Sequence, residues 1–531
     1  MNLSKRNILF LAMALFVLGL SMAIYFHWPA LTHYAIYKSD IRQSPHWAAY
    51  HTTSFRSDDI LVQYGSFNES PLQNLIYYVA TFFGDMVTIT KILSVLSYGF
   101  ATVLFFIIGM SLFGMRGGIL AALFFAFFPD QFDYSAGFFS KYWMIPLLIT
   151  CIWILKKERW KYLTILLPLS SLAYPPATVL LGMTVLVYTI LVGCTDRIKV
   201  RAIAPHLVAG ALCALILLLI KYIHPPSFIG PMTAGEQLLK MPEMYSGGLV
   251  RSAYLPIPSL FHELVSHLLH PFVLLSALGY FLILGIRGVA WDKTWTALFI
   301  ASVICYLLSD YFFMRLYIPN RYTRYSMAVI LILWNARNCD YVLARISRTW
   351  IQITVFILIM ATAGYAYRDN FNQQRNAMDR RRYAPLCEFI GQLPEKILVA
   401  GPPRYMDDIT VQSKRSVLCN YKMAHPWFTQ YYREIKERTL ATFRAIYATD
   451  IGPVNELHKK YGVTHLVVGR SYFCDRLRRK NIYVKPYNDY ILKIIGGKRY
   501  FLLQAPPHDS VVYRDSRYSV IRLPLKKVND R

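Results

Sequence analysis

Apolar runs of roughly 18–22 residues recur through the first two thirds of the chain, each long enough to cross a hydrocarbon core of about 30 Å. Inside a bilayer the backbone must satisfy its own hydrogen bonds, so such runs fold as helices. They lie near residues 8–26, 88–113, 118–129, 143–155, 162–173, 177–193, 203–222, 269–286, 294–313, 326–336 and 350–366. Several are short, and the third to sixth read equally as half-spans or tilted pairs. The first follows MNLSKRN and resembles a signal peptide. It has full-span length, however, and no small-residue cleavage site follows it, so it reads as an uncleaved helix. Composition agrees with this class: 55% of the 531 residues are hydrophobic, against about 45–50% in soluble domains. The fold class expected is a polytopic α-helical membrane protein of about 11 spans, with a C-terminal extracytoplasmic α/β domain.

Charge placement orients it. Short cytoplasmic loops are rich in Lys and Arg. An eleven-span alternation puts Lys5, Arg6, Arg116, KKERWK (156–161), DRIKVR (196–201), Arg287, Lys293 and Arg337 to Arg348 on one side. The N-terminus is therefore expected in the cytoplasm. The loops 27–87, 130–142, 174–176, 223–268 and 314–325, and the tail from about Arg368, are expected outside. The location expected is a bacterial inner (plasma) membrane, with the tail periplasmic or extracellular. The domains expected are 1–367, a membrane domain with a first outer loop at 27–87, and 368–531. In the tail, EKILVAG (395–401), RSVLC (415–419) and THLVVG (464–469) read as strands, with helices near 427–447 and 453–461 between them. That alternation suggests a small α/β domain. The net charge is +27, and the tail holds about 31 Lys plus Arg against about 15 Asp plus Glu. Such an excess suits anionic headgroups or phosphates. Nucleic acid is not an expected partner, because no motif for it occurs. Among Cys387, Cys419 and Cys474, one disulfide and three free thiols are equally compatible with the spacing.

The chemistry-bearing residues concentrate in outer loops. The stretch YKSDIRQSPHWAAYHTTSFRSDDILVQYGSFNESP, Tyr37 to Pro71, is too polar to span. It carries Asp40, Asp58 and Asp59 among Arg42, His46 and Arg56. Acids this close to a membrane stay wet, pair, or do chemistry. A transfer to a hydroxyl needs a carboxylate to take or orient its proton. Asp40 fits that role, while the Asp58–Asp59 pair reads equally as a helix cap. The segment Leu72 to Gly84 reads as interfacial. In FPDQFDYSAGFFSKYW (128–143), Asp130 and Asp133 share a face if helical, and Lys141 is a cation at the membrane edge. Acids that merely keep a turn wet are the ordinary reading there. In MRLYIPNRYTRYS (314–326), Arg315, Arg321 and Arg324 break the positive-inside trend. Arginine forks suit phosphate; anionic-lipid anchoring or pairing with Asp310 is the alternative. The long loop 223–268 has lid-like length and holds Glu236, Glu243, His262 and His267. His262 and Glu263 do not make HExxH, so a zincin is rejected. GPPRYMDDI (401–409) puts Asp407 and Asp408 after a strand, a common place for sites in α/β domains. No GxGxxG, P-loop or GxSxG occurs.

On these residues the chain resembles the C-type glycosyltransferase (GT-C) superfamily, which includes protein O-mannosyltransferases and lipid A aminoarabinose transferases. Asp40-Ile-Arg42-Gln43 and then Asp58-Asp59 follow one span in a large outer loop; Asp130 and Asp133 follow the third span; Pro319-Asn320-Arg321-Tyr322 forms a late outer P-x-R-Y element; an α/β tail follows, with SKRSVLCNYKMAHPWF (413–428) similar to bacterial tails of this kind. The better-known members have adjacent Asp-Glu in the first loop; here Ile41 follows Asp40, which leaves Asp40 and Asp59 both open as the main acid. The resemblance implies a glycosyltransferase that moves a hexose or pentose from a polyprenyl-phosphate donor to a glycolipid, surface polymer or protein, with inversion. It implies Asp40, Asp59 and Asp58 as catalytic residues, and Arg42, Lys141, Arg321, Arg324 and Tyr322 as substrate-binding ones. No cofactor is required; if a divalent metal is used, Asp40, Asp130 and Asp133 would hold it. Membrane lipids are the remaining partners. The rival classes are a transporter or flippase for lipid-linked saccharides, a ligase or polymerase, and an inactive scaffold.

Overall fold

The structure, a computed structural model, describes residues 4–43, 45–127, 132–133, 135–223, 225–243, 292–312, 316, 318–366, 377–473, 482–498 and 500–526. The run expected at 269–286 lies outside them, as do Asp130, Arg315, His262, His267 and Cys474.

The first run forms the helix Lys5–Thr32, capped by the Ser4 side chain. It lies close against Met86–Ala126 where small residues face each other: a Cβ on Gly19 would sit 2.5 Å from Thr102 Oγ1. The 41-residue Met86–Ala126 element is two helices, joined where Gly114 takes φ 84°. An L side chain resists that conformation. The two arms fold back on each other, with Phe105 stacked on Phe125 at 4.6 Å and the Tyr98 hydroxyl donating to the Phe125 carbonyl at 2.8 Å. The runs expected at 88–113 and 118–129 are thus a hairpin. Later runs appear as Met144–Lys156, Leu163–Ala173, Pro175–Gly193, Arg197–Ile223, Lys293–Tyr311, Asn320–Arg345 and Thr349–Ala366. They share one core, in which Leu120, Ile149, Leu180, Leu298 and Val329 are buried. Among the described residues, five helices are long and apolar enough to cross a membrane. The chain is a polytopic helical membrane protein, but these helices do not establish a count of 11. Met144–Lys156 has 13 residues, about 20 Å of helix.

The segment expected at the interface is the helix Pro71–Ala80 followed by a 3-10 turn, Thr81–Phe83. One face is buried through Gln73 and Tyr77, which donate to the Phe138 carbonyl at 2.7 and 2.8 Å. The other leaves Leu75, Tyr78, Val79, Phe82 and Phe83 exposed, the pattern of a helix lying along a surface.

Two-residue strands β1 (Ile36–Tyr37) and β2 (Met378–Asp379) pair antiparallel, tying the chain after the first helix to the start of the tail. The tail sheet contains β3 (Leu398–Ala400), β4 (Ser416–Val417), β5 (His465–Gly469), β6 (Val511–Arg514) and β7 (Tyr518–Arg522), in the order β4-β3-β5-β7-β6. The first three are the expected strands and run parallel. The antiparallel β7 and β6 were not anticipated. The expected helices are Thr429–Ile446 and Gly452–Tyr461. Cys387 and Cys419 are buried free thiols.

The first outer loop divides its packing. Its second half enters the tail: Leu61 and Tyr64 join the core around Tyr431, and the Tyr64 and Tyr431 rings stack at 3.8 Å. The Arg56 amide donates to Ser416 Oγ at 2.9 Å, and the Lys396 amide to the Ser54 carbonyl at 3.1 Å. Its first half touches both sides: β1 pairs with β2 and Arg42 reaches Asp407 in the tail, while Asp40 is met by Lys141 of the membrane domain.

Candidate active site

A 3-10 turn, Ser39–Gln43, carries Asp40, and a second, Ser140–Trp143, carries Lys141. Lys141 Nζ donates to Asp40 Oδ2 at 2.7 Å. Lys422 Nζ, from the tail, lies 3.8 Å from the other carboxylate oxygen. Beside this pair, Asp133 is gripped by Lys38, and Arg324 Nη2 lies 3.6 Å from it. Arg321 donates to the Tyr325 hydroxyl at 3.1 Å, and both groups act electrostatically on Lys141. The first loop, the loop before Met144–Lys156, the start of Asn320–Arg345 and the tail thus meet at one place. Asp40, Lys141, Asp133, Arg321 and Arg324, expected from sequence, are brought together there. The side chains of Asp40, Asp133 and Arg324 keep 28%, 27% and 40% of their surface exposed, so the cluster is open to a ligand.

The other expected residues are placed differently. Arg42 is only 5% exposed. Its guanidinium lies 3.1 Å from Asp407 and 3.9 Å from Asp408, and it also donates to Ser39 Oγ at 2.9 Å. Tyr37 donates to Asp408 at 2.7 Å, and Arg380 lies 3.6 Å from it. Arg42 is therefore a latch to the tail and does not face the open cluster. Asp407 and Asp408, noted as a strand-end site, are sealed inside that latch. Asp59 is the N-cap of Ile60–Asn68 and accepts from the Leu61 and Val62 amides at 2.9 and 3.1 Å. Asp58 pairs with Arg56 at 2.7 Å. The Tyr322 hydroxyl is turned to the Leu316 carbonyl. Glu243 accepts from Tyr432 at 2.8 Å within the tail contacts.

Burial raises the Asp40 carboxyl, but the charges of Lys141, Lys422 and Lys38, with the Lys141 hydrogen bond, outweigh it and hold the group well below the usual carboxylate range. Asp133 is lowered in the same balance, with burial opposed by Lys38, Lys141 and Arg324. Both carboxylates are ionised at neutral pH. Lys38, Lys422 and Glu69 were not singled out from sequence. Burial raises the Glu69 carboxyl, which is hydrogen-bonded to Ser140 and lies in the fields of Lys221 and Lys141. The one signal for Lys38 was its closeness to Asp40; Lys422 is one cation in a basic tail.

No family model matches the chain, and no curated protein matches its sequence. Solved structures do match. The fold is similar to the Archaeoglobus fulgidus oligosaccharyltransferase solved with Zn and sulfate, with TM-score 0.53, 11% identity, and coverage of 89% of this chain and 70% of that one. The apo form gives TM-score 0.50, 12% identity, and coverage of 91% and 72%. The archaeal oligosaccharyltransferase AglB of the same organism, in complex with an inhibitory peptide and a dolichol-phosphate, gives TM-score 0.50, 12% identity, and coverage of 90% and 72%. The fold is therefore the one shared with these oligosaccharyltransferase structures, a helical membrane domain with a C-terminal α/β region, and the chain is an integral membrane protein.

The zinc in that relative raises the question of a metal here. Divalent ions need several carboxylate or imidazole donors about one point. Among the described residues no such group of three occurs. Asp40 and Asp133 are each already gripped by an ammonium, with Lys422 3.8 Å from Asp40 and Arg324 3.6 Å from Asp133 as second cations. Among the described residues that donor set suits an anion; Asp130, the third expected metal ligand, lies outside them.

Proposed function

We propose that the chain is a glycosyltransferase that moves a sugar from a polyprenyl-phosphate-linked donor to an acceptor hydroxyl on the extracytoplasmic face. The observation that carries this reading is the open pair of Asp40 and Lys141 inside a cluster with excess positive charge. Such a cluster at the ends of apolar helices fits a phosphate whose prenyl chain lies in the bilayer. A protein of this fold is solved with a dolichol-phosphate and an inhibitory peptide, which makes prenyl phosphate the first donor class to test and a protein one acceptor class beside glycolipid and surface polymer. In this reading the protein sits in a bacterial inner membrane with its tail outside.

The reaction follows from what the charges can exchange. The donor phosphate draws Lys141 and Arg321 onto its oxygens. Asp40 loses its closest cation, and its proton affinity rises. It then accepts the proton of the acceptor hydroxyl while the acceptor oxygen attacks the anomeric carbon on the face opposite the phosphate. The bond from that carbon to the phosphate oxygen breaks, its electron pair stays on the phosphate, and configuration inverts. Lys141 and Arg321 stabilise the departing charge, the kind of preplaced electrostatics that dominates such catalysis. Asp133 holds Lys38 and Arg324 in place. Asp59, Asp58, Arg42 and Tyr322 carry structural contacts in this reading.

The test is sugar transfer in membranes with a panel of polyprenyl-phosphate sugars, comparing wild type with Asp40→Asn and Arg321→Ala. One donor is consumed by wild type, Arg321→Ala raises its KM, and a chelator leaves the rate unchanged. If every donor is ignored and Asp40→Asn is silent in cells, the loop acids are structural and the transporter or scaffold reading takes its place.

A further inference from the structure

We infer that the tail domain contributes a positioning residue, Lys422, which keeps hold of Asp40 while Lys141 is engaged by the donor. The inference rests on the reading above for its catalytic consequence, and on geometry for the contact. Both Asp40 oxygens face an ammonium group, one hydrogen-bonded and one at ion-pair distance. Lys141 is at 2.7 Å on Oδ2, and Lys422 is at 3.8 Å on Oδ1. Among the described residues, Lys141 stands in the field of Arg321 and Tyr325, whereas the charges acting on Lys422 are those of Asp40, Arg42, Asp407 and Lys141, so Lys141 is the lysine placed to share an incoming phosphate with them. Lys422 is fixed from the other direction. Its amide donates to Asp407 Oδ1 at 2.8 Å, and Asp407 Oδ2 lies 3.1 Å from Arg42. Arg42 is two residues from Asp40 on the same 3-10 turn. The contacts therefore close a ring from Asp40 through Arg42, Asp407 and Lys422 back to Asp40. The buried latch sets where the tail lysine stands. Lys422 keeps 18% of its side chain exposed, so it reaches the open cluster, whereas the latch carboxylate beneath it does not.

A group held this way acts on rate and not on donor affinity. A misplacement of about 1 Å at a reacting group costs on the order of 10²-fold. Lys422→Ala lowers kcat by about that factor and leaves donor KM unchanged; Lys422→Arg restores most of it. Thermal unfolding of the purified full chain in detergent supplies a readout that needs no activity: the midpoint loss caused by Lys422→Ala disappears in an Asp40→Asn background, because the partner is already gone. Lys414→Ala, which removes a tail lysine paired with Asp85 at 2.9 Å, keeps the same loss in both backgrounds. A raised donor KM with unchanged kcat overturns the inference, as does a Lys422→Ala midpoint loss that persists without Asp40. If wild type transfers from no donor, the transferase reading fails, and the unfolding comparison alone decides the contact. Should Lys422→Ala not fold, Lys422→Met supplies the same comparison.

Discussion

Two ionic clusters begin two residues apart in the same turn and have opposite characters. Asp40 meets lysines from three elements and stays 28% exposed. Arg42 meets two tail carboxylates that are 1% and 0% exposed. The first has more cations than carboxylates and is open. The second has matched charges, hydrogen bonds on most sides, and is closed. A buried charge without its partner is costly, so a sealed pair reads as a clamp. An open cluster with mismatched charge has something still to bind. Exposure and charge balance, not residue type, separate the working acid from the structural ones.

The comparison makes contrasting demands on substitution. Asp40→Asn removes the proton acceptor and lowers kcat by about 10²–10⁴-fold. Asp40 keeps 28% of its side chain exposed, so the change costs stability on the order of 1 kcal/mol. Arg42→Met does the reverse, leaving Asp407 and Asp408 buried without that cation and destabilising the chain by roughly 3 kcal/mol, read in thermal unfolding of purified protein. If Arg42→Met spares stability, the clamp reading breaks; if Asp40→Asn unfolds the chain, the two clusters are not different in kind.

The clamp also has a pH signature. Burial pushes the Asp407 carboxyl up to about 6, against the pull of Arg42. Its unfolded value is near 3.8. Between those values the folded chain binds a proton that the unfolded chain does not, so stability falls as pH rises from about 4 through 6. Wild type loses more of its unfolding midpoint across that window than Asp407→Asn, which lacks the titrating group. Equal slopes would remove Asp407 from the titration.

Much of the site was legible because it violated expectations for loops beside a membrane. Asp40 stood out as an acid close to a span, and Arg321, Arg324 and Lys141 as cations on the outer side. Lys422 carried no such mark, since a single lysine among about 31 basic tail residues becomes particular only when the tail folds back onto the loop. The same closure hid the fate of Asp407 and Asp408. Their position after a strand was readable, but not that Arg42 would seal them. In the membrane domain, apolar length announced the helices. The reversal at Gly114 falls where the expected runs 88–113 and 118–129 part, with Arg116 between them. Strands β6 and β7 lie among charged residues, VVYR and YSVIR, with too weak an alternation to read before the sheet is assembled.

The smallest effect separates Asp40 from Asp59, nineteen residues on in the same loop. Asp59 is buried and accepts two amides at the start of Ile60–Asn68, and burial raises its carboxyl. A cap is replaceable by another cap: Asn accepts the same amides almost as well, whereas Ala costs about 1 kcal/mol. Asp59→Asn therefore leaves both turnover and unfolding nearly unchanged, and Asp59→Ala lowers the unfolding midpoint while kcat holds. Asp40→Asn is the opposite, mild in unfolding and severe in turnover. The asparagine pair tests the assignment cleanly, because each change removes a negative charge at nearly constant volume. If Asp59→Asn abolishes turnover with the fold intact, the cap conceals a catalytic carboxylate, and the tail-packed half of the loop belongs to the site after all.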